Sequence, residues 1–175
     1  MRSDEALVAA IRDGDHAAFG LLYERYATRL FSYLLRQLGD RAAAEDLLQE
    51  VFLEVLESRS FELRPGRFGG WLFTVAKNRV LSRARDGQRQ DQRLGALAAE
   101  AAPGPSSSAE HRDVLRALEH LTQPQQDVLL LKAVGGFSYR EIAEIQSVPE
   151  GTAKSRLHFA IKALRELLGA RGDHE

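Results

Sequence analysis

The sequence contains no cysteine, which removes disulfide frameworks, thiolate zinc sites and thiol switches from consideration. It also lacks any run approaching the roughly 18 apolar residues of a membrane span, and MRSDEALVAA has no long apolar secretory core. The expectation is a cytoplasmic protein without direct membrane insertion. The five histidines, His16, His111, His120, His158 and His174, are scattered without ligand spacing. No glycine-rich phosphate loop follows a strand, and no nucleophile has an obvious base. The chain is therefore expected to have no catalytic residues, no metal and no cofactor. β-branched residues are too few and too scattered for a sheet, and the formal charge of −1 says nothing about partners until the charges are located along the chain.

What is present is helical periodicity. With 175 residues and 44% apolar content, the chain can bury one ordinary core or two small ones. From Asp15 to Gly39, Phe19, Leu22, Tyr23, Tyr26, Leu30, Leu34 and Leu38 recur at helical spacing, with Asp15 as N-cap and Gly39 as stop. A second helix is expected from Asp40 to about Ser58, burying Leu47, Leu48, Val51, Phe52, Val55 and Leu56. A short helix around Ala6 to Arg12 packs on these. SFELRPGRFGG reads as a loop leading into the helical stretch WLFTVAKNRVLSRAR.

From about Gln88 to Arg112 the character changes, and APGPSSSAE reads as a flexible linker. Further helical patterns follow at about Val114 to Leu121, Gln123 to Val134, Ser138 to Gln146 and Pro149 to Leu168. Thr122 with Gln125 and Ser138 with Glu141 fit capping boxes, and Phe137 with Ile142 fits a hydrophobic staple. Pro149 suits the first turn of the last helix. The predicted architecture is all-α: two small helical domains, 1–87 and 113–175, joined by a linker over 88–112.

Three constellations carry chemistry. The strongest is the C-terminal helix-turn-helix arrangement, SYREIAEIQ, a turn at SVPEG, then GTAKSRLHFAIKALREL, in which the second helix enters the major groove of DNA. With Leu157, Ile161, Leu164 and Leu168 inward, Thr152, Lys154, Ser155, Arg156, His158 and Phe159 remain available near its front. A helical hairpin with merely solvated charges is the alternative. The second is basic: between positions 77 and 93, Lys77, Arg79, Arg83, Arg85, Arg89 and Arg93 face only Asp86 and Asp91, a local charge of +4. Asn78, Ser82 and Arg85 share one stripe, and Arg64, Arg67, Phe68 and Trp71 border it, a combination suited to single-stranded DNA. Phe68 and Trp71 taken singly also suit a core. The third is an acidic line, Asp46, Glu50, Glu54 and Glu57, with Gln49 beside it. It repels DNA and is either a solvated face or a dock for a basic protein.

AEDLLQEVFLEVLE, RFGGWLFTVAKNRVLSRAR and SYREIAEIQSVPEGTAKSRLHFAIKALREL, in that order, resemble the extracytoplasmic-function sigma factors, the minimal branch of the bacterial sigma family. The resemblance implies sigma domains two and four and a function in transcription initiation: binding core RNA polymerase, recognising promoter DNA and melting it. It implies that Asp46, Gln49 and Glu50 dock on the polymerase. Arg64, Arg67, Phe68, Trp71, Lys77, Asn78, Ser82 and Arg85 would then serve the −10 element, and Thr152, Lys154, Ser155, Arg156, His158 and Phe159 the −35 element. It also implies an anti-sigma partner. Two departures stand out: Ser82 occupies a position that is commonly Asp, and Phe159 and Ile161 occupy positions that are often Arg. The competing readings are a stand-alone helix-turn-helix regulator, which would bind duplex DNA without polymerase, and a helical adaptor that binds only protein.

Overall fold

A computed structural model describes residues 2–57, 65–94, 117–118 and 120–169, with the side chains of the long fourth helix described as far as 86. The chain divides into two compact units, Met1–Ala101 and Ala102–Glu175. Among the described residues there is no strand. Of the segment expected as a linker, 88–94 instead continue the long fourth helix, and the rest lies outside the described residues, as does half of the helix expected from Val114 to Leu121.

The first unit consists of α1 (Asp4–Arg12), α2 (His16–Leu38), α3 (Arg41–Glu57) and α4 (Phe68–Leu94). Its helix boundaries follow from side chains that satisfy free N–H groups. Ser3 Oγ accepts from Ala6 N at 3.2 Å, so α1 begins earlier than the apolar pattern indicates. Asp15 Oδ1 accepts from Ala18 N at 3.1 Å, and this bond, reinforced by Arg2, holds the Asp15 carboxyl below the usual carboxylate range. Gly39 ends α2 at φ 68°, a left-handed conformation that costs glycine nothing, and its N–H reaches Leu35 O. Asp40 then accepts from Ala43 N at 2.7 Å to start α3.

The buried faces of the four helices share one core. Leu7 and Val8 of α1 bury, as do Leu22, Leu30, Tyr33 and Leu34 of α2. Leu47, Val51 and Phe52 come from α3, and Phe68, Leu72 and Phe73 from α4. Tyr33 meets Phe73 at 5.4 Å between ring centroids, and Tyr26 meets Phe68 edge to face at 5.3 Å. The Tyr26 hydroxyl donates to Asp4, which is also paired with Arg25, tying α1 to α2. Burial, reinforced by Asp4, raises the Tyr26 phenol above its ordinary pKa. Two expectations need correction. Leu56 is 44% exposed instead of belonging to the buried stripe of α3. Phe68, Gly69 and Gly70 form the first turn of α4 instead of a loop. The first N–H groups of a helix have no intrahelical partner in any case, so glycine costs little there, and burial of Phe68 anchors the turn.

The second unit consists of α5 (Gln123–Ala133), α6 (Tyr139–Gln146) and α7 (Glu150–Gly169). Both capping boxes are formed: Thr122 N donates to Gln125 Oε1 at 3.0 Å and Ser138 N to Glu141 Oε2 at 2.7 Å. Ser147, left-handed at φ 55°, closes α6, and Pro149 stands one residue ahead of α7, where its carbonyl accepts from Thr152 and Ala153. The core joins Val128, Leu131, Phe137, Ile142 and Ile145 to Ala153, Leu157 and Ala160. Of the expected inward stripe of α7, only Leu157 is buried; Ile161 and Leu164 are half-buried and Leu168 is 38% exposed. No described side chain from 161 to 168 is fully buried, so the closely packed part of α7 ends at Ala160.

Gly135 is where α5 turns towards α6. A Cβ there would lie 2.6 Å from both Leu131 O and the Phe137 ring, the first being backbone that cannot swing aside. Gly135→Ala is expected to destabilise the second unit by about 1–3 kcal/mol, measured as a lower urea midpoint at an unchanged slope.

Candidate functional site

Three surfaces result, one for each sequence constellation. On α3, Asp46 and Gln49 are exposed. Leu53 and Leu56, 53% and 44% exposed, continue their line at i+7 and i+10 from Asp46. Leu56 was assigned to the buried stripe because an apolar residue at helical spacing reads as core by default, and Leu53 falls outside that stripe. The middle of the acidic line is committed within the fold. Glu50 Oε1 lies 2.6 Å from Arg83 Nη2, and Arg83 Nη1 donates to Ala43 O at 3.1 Å. Glu54 Oε2 accepts from Arg79 at 2.9 Å, which holds the Arg79 guanidinium above its ordinary pKa. The expected line of four outward carboxylates is thus divided: Asp46 and Glu57, at its two ends, are exposed, while Glu50 and Glu54 between them are bridged to α4. Solvent-exposed pairs of this kind contribute at most about 1 kcal/mol each, so a competing basic partner can displace them.

The same bridges divide the basic patch. Arg79 and Arg83 turn towards α3, leaving Lys77, half-buried, and Arg85, exposed, as its described cations on other faces. Asn78 is exposed and Ser82 half-buried; with Trp71 and Arg85 they recur at i, i+7, i+11 and i+14, one stripe of α4. Trp71, at the start of that stripe, is half-buried. Arg67 is exposed immediately before the helix, and Arg64 lies outside the described residues. Phe68 differs from its expected place on the rim: with no exposed area, packed between Tyr26 and Trp71, it is a core residue and offers no face to a base. A ring facing α2 cannot also face solvent, a distinction that position in the loop did not reveal.

On α7, Lys154, Ser155, His158 and Phe159 are exposed, and Thr152 and Arg156 half-buried. Most of the polar members are bonded locally. Lys154 Nζ lies 2.7 Å from Glu150 and over the Tyr139 ring, and Glu150 raises its ammonium pKa. The Ser155 hydroxyl donates to Gly151 O at 2.9 Å, and Arg156 Nη1 donates to Gln146 Oε1 at 3.1 Å. Gln146 is itself buried and ends α6, so Arg156 clasps the two arms of the helix-turn-helix. Among the described residues no group of three or more His, Asp or Glu is placed to hold a metal, and no helix is long and apolar enough to cross a membrane.

Comparison with known proteins identifies the family. Residues 22–90 match the family model for sigma-70 region 2, and residues 111–164 match sigma-70 region 4. The chain is 38% identical to the RNA polymerase sigma factor CarQ of Myxococcus xanthus, over 90% of this chain and 93% of that one. It is 32% identical to the ECF RNA polymerase sigma factor SigK of Mycobacterium ulcerans, over 97% and 96% of the two chains. Among solved structures it is similar to the sigma factor RpoE of Bartonella quintana in complex with the anti-sigma factor NepR, with a TM-score of 0.74, 28% identity and coverage of 86% and 96%. It is also similar to CnrH in complex with the cytosolic domain of CnrY, with a TM-score of 0.72, 26% identity and coverage of 97% and 99%. Two sigma regions in the family's order, on helices whose open faces are acidic in one place and DNA-compatible in two, have one reading: the chain belongs to the extracytoplasmic-function sigma factors and is an alternative sigma factor that directs transcription initiation.

Proposed function

We propose that the chain works in the cytoplasm, docking on core RNA polymerase through Asp46, Gln49 and Glu50 of α3 and contacting promoter DNA with α4 and α7. The observation that carries this reading is the segregation of charge: an open acidic end on α3, and a separate stripe of Trp71, Asn78, Ser82 and Arg85 on α4. An aromatic edge beside amide, hydroxyl and guanidinium groups suits the unstacked bases of a melting −10 element, with Arg67, Lys77 and, from the sequence, Arg64 supplying phosphate contacts. Thr152, Lys154, Ser155, Arg156, His158 and Phe159 then face the −35 duplex. In vitro transcription from genomic fragments, with core polymerase and the purified chain, tests the whole proposal. Start sites sharing −35 and −10 sequences are the expected result; no transcription above core alone would overturn it. A stand-alone regulator is not favoured, because a DNA-binding domain without polymerase gives no reason for region 2 with its acidic face.

The solved relatives bound to NepR and CnrY support a further part of the proposal, that an anti-sigma protein holds this chain inactive. At the −35 end, Arg156→Ala is expected to cost about 1–3 kcal/mol at one base pair, the range for losing a bidentate base contact. The check is the affinity of the polymerase-bound protein for duplexes carrying each base at each −35 position. An equal loss for all sequences would mean that Arg156 contacts phosphate.

A further inference from the structure

The outward face of α7 is unusual for a helix meant to read polar base edges. Gly151, Ser155 and Phe159, four residues apart, run along it opposite the buried stripe of Ala153, Leu157 and Ala160. Gly151 presents no side chain, and a Cβ there would meet nothing within 4 Å. Ser155 turns its hydroxyl back to Gly151 O, Lys154 is held by Glu150, and Arg156 reaches sideways to Gln146. The large apolar group on this face is the Phe159 ring, 56% exposed and met edge-on by the His158 ring at 5.7 Å, while Lys162 on the following turn is paired with Glu166. Covering such a ring with an apolar group of a ligand removes apolar area from water and favours binding.

We infer that Phe159 is a specificity residue that reads the 5-methyl group of a thymine in the −35 element. The inference rests on the proposal that α7 enters the major groove. In that groove thymine alone presents a methyl group, and a phenyl ring is among the side chains that contact it favourably. A ring in the third outward turn, beyond a bare glycine and a small serine, can approach the groove floor without long side chains ahead of it. Readout at this position is therefore apolar, and it distinguishes thymine from cytosine by the methyl rather than by a hydrogen bond.

The test uses the full chain bound to core polymerase and a duplex library randomised over the −35 window. Selected sequences are resynthesised with deoxyuridine replacing each thymidine singly, which removes one methyl and keeps every hydrogen bond. At one position this is expected to weaken binding about fourfold, the equivalent of one buried methyl-sized group, and in Phe159→Ala the same replacement is expected to have no effect. Because Phe159 is exposed, the variant should keep its fold, and unchanged thermal unfolding verifies this. Equal uracil sensitivity in both proteins, or none in either, overturns the inference. If Lys154→Ala and Arg156→Ala still weaken −35 binding, the groove-reading helix survives that failure. If they too leave binding unchanged, the placement of α7 on DNA is lost with it.

Discussion

Asp46→Lys is expected to weaken binding of core RNA polymerase by about a hundredfold, or about 2.7 kcal/mol, while leaving folding stability within about 0.5 kcal/mol. Asp46 is exposed at the open end of α3, so reversing its charge disturbs no internal partner described here, whereas a like charge opposed to a basic docking surface costs several kcal/mol. Glu50→Lys is a different experiment. Its carboxylate lies 2.6 Å from Arg83, and a lysine there sets two cations against each other across the α3–α4 contact, so affinity and stability should fall together. Titrating labelled core polymerase with each variant, alongside thermal unfolding, separates the two effects. A stable Asp46→Lys protein that binds core at the native affinity would return the acidic face to a merely solvated surface.

Phe68→Ala should be the most damaging single change in the first unit, at about 3–5 kcal/mol, the cost of emptying a buried phenyl site. The ring has no exposed area and packs against Tyr26 and Trp71. Its loss would loosen the first turn of α4 and with it the placement of Trp71 and Asn78. The sequence holds a single tryptophan, half-buried beside Phe68 at 5.8 Å, so its fluorescence reports unfolding of this unit. Asn78→Ala and Arg85→Ala, at exposed positions, are expected to leave the urea midpoint almost unchanged and to impair promoter melting instead. An unfolding free energy for Phe68→Ala within about 1 kcal/mol of the native value would return the ring to the DNA-facing side.

Much of the fold was legible because it depends on local chemistry. The cap at Asp15, the stop at Gly39 and the capping boxes at Thr122 and Ser138 lie within three or four residues of the groups they satisfy, so their signals are contained in short stretches of chain. The all-α class and the helix-turn-helix followed from these signals and from 3.6-residue periodicity, and the order of the sigma regions from the family resemblance. Boundaries shifted where burial outweighed local preference, as at Gly69 and Gly70, which opened α4 because Phe68 had a cavity to fill.

What only the tertiary structure decided was the partnership of side chains distant in sequence. Periodicity assigns a residue to a face of its own helix, but it does not say which second helix covers that face or where the cover ends. Hence Leu56 and Leu168 emerged exposed, and Phe68 became core. Arg79 and Arg83, indistinguishable in sequence from Arg85, turned to Glu54 and Glu50, at separations of 25 and 33 residues. Motif order, through the family resemblance, identified a sigma factor, and charge marked an acidic line on one helix and a basic stretch on another. Packing decided which charges on the α3 and α4 surfaces remain open, because an ion pair between two helices forms only where they bring its partners within about 4 Å.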